Sequence, residues 1–274
     1  MTGGPTRRSV LAAALSLPLL ASCDLGGSDL TTPAGVALER GTLTSTHWRG
    51  HQVGWMLARP SARAGAGTAR AHPPVVVVLH GRGGDASAAF DQLHLERHVA
   101  STGLAVASVD GGDFYWHARK SGVDTGAMVV SDFLPLLARR GLDTSRIGLL
   151  GWSMGGYGAL LLATRLGRRR VGGVVAESAA LWQSPGDSAP GAFDDRQDFV
   201  AHDVFRARSA LAGIPVRLDC GTDDPFLAAD RAFVRGLPGV QATFDAGGHT
   251  VDYWQSHAGA QLAWLAGHLR PAGQ

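Results

Sequence analysis

The sequence predicts an α/β protein: a mainly parallel sheet with helices on both faces, in a single domain. Short apolar runs alternate with helical patterns through most of the chain. Val75-Val76-Val77-Val78-Leu79 is an unbroken apolar run, the mark of a strand buried on both faces. Gly151-Trp152-Ser153-Met154-Gly155-Gly156 joins an apolar strand, Arg146 to Leu150, to an alanine- and leucine-rich helix beginning at Tyr157. The length of 274 residues suits one large domain, and no internal stretch reads as a linker.

The first residues stand outside the fold. Arg7-Arg8 precede an apolar run from Val10 to Leu20, too short to span a bilayer and right for a signal-peptide core. Leu20-Ala21-Ser22-Cys23 resembles a lipobox, in which Cys23 becomes the lipidated N-terminus. Thr6-Arg7-Arg8-Ser9-Val10-Leu11 resembles a twin-arginine signal but carries Val10 where phenylalanine is commoner, so the export route stays open. The expected layout is an export signal over 1–23, a Gly/Ser/Thr/Asp-rich tether over 24–40 and the folded domain over 41–274. The protein is expected to be exported and held by lipid on the outer face of the membrane, with no other membrane contact, the alternative being plain cleavage and release.

Composition narrows the function. Twenty-five lysines and arginines nearly balance 23 aspartates and glutamates, which argues against nucleic-acid binding driven by net charge. Beyond Cys23 the sole cysteine is Cys220, in a strand-like segment, which reads as a small buried apolar residue. No Cys/His spacing suggests a metal site, and no cofactor is implied.

The elements follow in order. Thr42 to His47 and Val53 to Arg59 read as strands joined by a turn near Gly50. After the loop Ser61 to Pro74 come the Val75–Leu79 strand and a helix over Ala86 to Ser101. Leu104 to Val109 is a strand, and Thr125 to Arg140 a helix with a kink expected at Pro135. Strands are expected at Ile147–Leu150, Val171–Ala176, Ile214–Asp219 and Gln241–Phe244, and a helix over Asp252 to Leu269 closes the chain.

In such a sheet ligands bind beyond the carboxyl ends of the strands. The Gly-x-Ser-x-Gly turn between strand and helix would place Ser153 there, on a sharp turn that the glycines make possible. A serine hydroxyl needs a base, and the base an orienting acid, in the chain order Ser, Asp or Glu, His. His249, in Ala246-Gly247-Gly248-His249-Thr250 between the last strand and the last helix, is the candidate base. His202 breaks the chain order, and His257 and His268 lie within the last helix. For the acid, Asp219, Asp223 and Asp224 follow the preceding strand, position alone does not choose between Asp223 and Asp224, and Glu177 is a fallback. The amide of Met154, at the helix start, and that of Arg82, in His80-Gly81-Arg82-Gly83-Gly84, are the candidate donors to an oxyanion.

The elbow Gly151 to Leu160, the segment Asp219 to Phe226 and the segment Gly248 to Trp254 together resemble the esterase branch of the α/β-hydrolases. That branch includes S-formylglutathione hydrolase, feruloyl and acetyl-xylan esterases, and mycolyltransferases. The resemblance runs from Val75 to the C-terminus and implies an α/β-hydrolase fold and ester hydrolysis through an acyl-enzyme. In S-formylglutathione hydrolases the second aspartate of Gly-x-Asp-Asp supplies the acid, which carries onto Asp224; in the mycolyltransferases the oxyanion amides match Met154 and Arg82. Those transferases, however, use a glutamate acid and a different elbow after the serine, and S-formylglutathione hydrolase is cytoplasmic whereas this chain carries an export signal.

The reading is an exported serine esterase with Ser153, His249 and Asp224 as the triad, acting on a small-molecule, carbohydrate or lipid ester. Tyr115, Trp116 and His117, in the aromatic stretch after a buried strand, are expected to line its substrate pocket. Trp182 to Val204 is a polar excursion placed to act as a lid or recognition insertion. An acyltransferase of the cell envelope would share every catalytic residue. A serine peptidase would usually bring a propeller domain, which this chain lacks, and a non-catalytic binding protein would carry a broken triad.

Overall fold

The computed structural model describes Met1 and residues 32–61 and 72–269. The expected export signal beyond Met1, lipidation at Cys23 and residues 24–31 of the tether lie outside the described residues. One eight-stranded sheet runs through the domain: β1 (Val36–Ser45), β2 (His51–Pro60), β3 (Pro74–Leu79), β4 (Ala105–Val109), β5 (Asp143–Trp152), β6 (Val171–Glu177), β7 (Val216–Gly221) and β8 (Gln241–Asp245). Its spatial order is β1-β2-β4-β3-β5-β6-β7-β8. β2 is antiparallel to β1 and β4, and every later pair is parallel. The helices are α1 (Ala88–Asp91), α2 (Val99–Thr102), α3 (Thr125–Met128), α4 (Leu134–Arg139), α5 (Met154–Leu166), α6 (Arg196–Ala201), α7 (Leu227–Arg235) and α8 (Val251–Leu269). Among the described residues no helix is long and apolar enough to cross a membrane.

The valine run behaves as its composition requires. Val75, Val77 and Leu79 face one apolar core with α5, while Val76 and Val78 face the other with α8. Alternate side chains leave a strand on opposite faces, so a strand covered on both sides has no polar position to offer.

Four expectations are corrected. The tether does not extend to residue 40: Val36 to Arg40 form the first half of β1, paired with Met56 to Pro60. The helix expected over Ala86 to Ser101 is broken into α1, a single 3-10 turn at Leu95–His98 and α2. Leu93 and Leu95 are both buried. Two residues apart, they would point to nearly opposite sides of one straight helix, and His94, at φ 49°, turns the chain between them. The helix expected over Thr125 to Arg140 is not uniform: it loosens into a π-turn over Val129–Phe133, just upstream of Pro135 and its missing N–H. β5 begins at Asp143, four residues before the expected Ile147.

Candidate active site

β5 ends at Trp152 and α5 begins at Met154, leaving Ser153 alone in the turn, with φ 54° and ψ −121°. For a residue bearing a Cβ this backbone costs about 1–3 kcal/mol. Its surroundings hold it there: the Ser153 N–H donates to the Glu177 carbonyl at 2.9 Å, and the Ala180 N–H donates to the Ser153 carbonyl at 2.9 Å. The two glycines of the motif are steric necessities. A Cβ on Gly155 would sit 1.8 Å from the Leu79 carbonyl oxygen, and one on Gly151 would sit 2.2 Å from that of Gly155.

The loop after β8 brings His249 over this turn. Its Nε2 lies 2.9 Å from Ser153 Oγ, and its Nδ1 lies 2.9 Å from Asp224 Oδ2. Trp254 meets the imidazole edge-on at 4.9 Å and Phe226 at 5.3 Å, so two rings fix its plane. The other oxygen of Asp224 accepts the Phe226 N–H at 2.8 Å. Burial works against charge on Asp224, but the hydrogen bonds from His249 and Phe226 prevail and hold its carboxyl below the usual carboxylate range. Asp224 therefore stays ionised and fixes the proton of a neutral His249 on Nδ1, leaving Nε2 to accept from Ser153.

Among the described residues, the acid bonded to His249 is Asp224. Asp223 is exposed. Asp219 is buried and accepts from Arg217 Nε at 2.7 Å and Gln261 Nε2 at 2.9 Å. Glu177 pairs in register with Asp219, and its nearest histidine is His257, with Nδ1 3.8 Å from Oε1. Burial, then the charge of Asp219, pushes Glu177 well above the carboxylate range.

Met154, as the first residue of α5, has an N–H with no acceptor inside the helix. Gly81 lies against the same turn, where an added Cβ would be 2.9 Å from Trp152 Nε1 and 3.5 Å from the Ser153 Cβ. The Arg82 backbone follows directly. His80, which sequence reasoning passed over except as part of the glycine-rich stretch, sets this loop. Its Nε2 accepts the Gly111 N–H at 2.9 Å, so its proton is on Nδ1, which donates to the Gly81 carbonyl at 2.7 Å. A histidine opening a glycine-rich stretch after a buried strand was the available signal.

The pocket expectation for Tyr115, Trp116 and His117 is corrected: all three are buried. The Trp116 ring fills the space left by Gly111 and Gly158. Tyr115 packs on Tyr157 and Trp182, and His117 stacks between Phe193 and His202. The Ala118 and Ala192 carbonyls meet the ring nitrogens of the buried His117, and the small residues opposite Trp116 give its indole room. Half-buried Trp48 and Phe114, packed edge-on at 5.2 Å, line a shallow recess with His51 and Val123.

The sheet order and the serine turn at its carboxyl edge define an α/β-hydrolase fold. The chain belongs to the Esterase family, whose model, described as Putative esterase, matches residues 60–265. No curated protein matches the chain at a significant level. Solved structures of the same fold include a ferulic acid esterase, at 20% identity and TM-score 0.73, covering 85% of this chain and 99% of that one. An S-formylglutathione hydrolase from Agrobacterium tumefaciens is 20% identical at TM-score 0.73, covering 87% and 98%. MPT51 (FbpC1) of Mycobacterium tuberculosis is 18% identical at TM-score 0.67, covering 85% and 99%. At these identities the likeness shows the fold; the family supports hydrolysis of esters.

Proposed function

We propose that the protein is an exported, lipid-anchored serine esterase that works through an acyl-enzyme. Ser153 Oγ attacks the ester carbonyl while His249 Nε2 takes its proton. Asp224 holds the imidazole in the right tautomer and stabilises its cation. The N–H groups of Met154 and Arg82 donate to the oxyanion. His249 then protonates the leaving alcohol, and water, activated by the same histidine, releases the acyl group. No step calls for a cofactor. The substrate is a small-molecule, carbohydrate or lipid ester of the cell exterior. The observation that carries the reading is the hydrogen-bonded chain from Ser153 through His249 to Asp224, with both contacts at 2.9 Å.

The test is hydrolysis of p-nitrophenyl esters of increasing acyl length by protein lacking residues 1–23, beside Ser153→Ala, with fluorophosphonate labelling of both. Turnover and labelling in the parent, with loss of labelling and a fall in kcat of about 10⁴-fold or more in the variant, are expected. A parent that neither turns over nor labels would overturn the reading in favour of a binding role. Anchoring at Cys23 predicts that the full chain fractionates with membranes and that Cys23→Ser is released.

A further inference from the structure

We propose that His117, Asp198 and His202 form a binding site for a divalent transition-metal ion of the zinc class, which fastens the 182–204 excursion to the loop after β4. The donor atoms of the three residues lie within 4.8 Å of one another. Asp198 Oδ1 is 2.7 Å from His202 Nδ1 and 3.6 Å from His117 Nδ1. A tetrahedral ion with bonds of about 2.0–2.1 Å needs donors about 3.3 Å apart, between those two values. Asp198 lies in α6 and His202 caps its C-terminus, and their spacing of four places both on one face. All three side chains are largely shielded, at 0%, 9% and 11% exposure for His117, Asp198 and His202.

The surroundings are those of a built site. Metal-bound histidines usually donate their second N–H to a carbonyl, and His117 Nε2 lies 3.1 Å from the Ala192 carbonyl. Asp198 Oδ2 accepts the Asp194 N–H at 2.8 Å, which turns Oδ1 toward the histidines. His117 Nδ1 faces the Ala118 carbonyl at 3.0 Å as well as Asp198. A neutral imidazole has one N–H, so one ring nitrogen of His117 points a lone pair at oxygen, an arrangement that a cation relieves. Two imidazoles and one carboxylate suit zinc, whereas calcium and magnesium want oxygen donors throughout. The rings of His117 and His202 stack at 4.2 Å and 27°, so uptake requires one to pivot. His202, the more exposed, is the one with room. The Tyr157 hydroxyl donates to the His202 carbonyl at 2.9 Å, so the clamp sits one helical turn beyond Ser153.

The full-length chain, purified in detergent and stripped with EDTA, is loaded with Zn²⁺, desalted and analysed for metal, with Co²⁺ loading in parallel. One zinc per chain, a raised Tm with Zn²⁺ but not with Ca²⁺ or Mg²⁺, and a cobalt d–d spectrum of tetrahedral type are expected. His257→Gln, which alters a histidine of α8 that lies beside Glu177 and Asp245 and outside this cluster, keeps the metal; His202→Gln and His117→Gln lose it. His202 is close enough to solvent for its variant to fold even if His117→Gln does not. A wild-type chain that retains no zinc, or zinc retained equally by His202→Gln, would overturn the proposal.

Discussion

Asp224 and His249, 25 positions apart, meet at 2.9 Å, whereas Glu177, at the end of the neighbouring strand, meets only His257 at 3.8 Å. The two acids therefore make opposite predictions. Asp224→Asn leaves the packing in place but removes the acceptor that fixes the His249 tautomer; kcat on p-nitrophenyl acetate should fall by about 10²–10⁴-fold. Glu177→Gln should keep kcat within about twofold, as expected for a substitution that leaves the His249 hydrogen bonds untouched. Equal losses in the two would remove Asp224 from its proposed role.

Glu177 also carries a pH signature. Burial, then Asp219, raises its folded pKa above the unfolded value. The unfolded chain thus releases this proton first. Stability is greatest below the unfolded pKa and declines, by about 1.4 kcal/mol per pH unit, as pH rises toward the folded pKa. Asp230, raised above all by burial, adds the same sign. Glu177→Gln stays neutral at every pH. Its Tm relative to the parent should therefore rise between pH 4 and pH 8, and Asp230→Asn added to it should flatten the profile further. Differential scanning fluorimetry across that range decides it, and a Tm difference independent of pH would contradict an uncharged Glu177.

Gly155→Ala should prevent folding or cost more than about 3 kcal/mol in urea unfolding. Its methyl would fall 1.8 Å from the Leu79 carbonyl oxygen, on backbone that cannot rotate away. Gly83→Ala, in open space although at φ 76°, should cost only about 1 kcal/mol.

Arg119 ties the excursion down. Its Nε and one terminal nitrogen bond Asp194 Oδ1 at 3.1 and 2.8 Å, and the other terminal nitrogen reaches the Gly191 and Ala192 carbonyls at 3.1 and 3.0 Å. Its side chain is only 8% exposed. Arg119→Lys keeps the charge but loses the fork, and should cost about 1–3 kcal/mol. Limited proteolysis should then cut faster within residues 182–204, while the rest of the domain resists.

The legible part of this chain was the part under local constraint. The Val75–Leu79 run, the glycines around Ser153 and Gly247 before His249 each meet a steric demand that few other residues satisfy, so strand, turn and loop could be placed from the residues alone. The break at His94 was not legible, because Leu93 and Leu95 read as helix until the core that buries both is known. Nor was β1 upstream of Thr42, since Val36 to Arg40 become a strand only by pairing with β2. The aromatic stretch gave the wrong sign for a related reason. Tyr115, Trp116 and His117 suggest a pocket lining by type, yet Gly111 and Gly158 open a space that the indole of Trp116 fills.

The sequence by itself determined the sheet class, the turn that carries Ser153 and the position of His249. It did so because backbone geometry and apolar patterning are local properties. Resemblance pointed to Asp224 as the acid, and tertiary structure alone decided how its carboxyl meets His249, which carboxyl loses its charge and which histidines stand together. Those outcomes depend on distances of a few ångströms between strands and loops far apart in the chain, and on burial that no single segment carries.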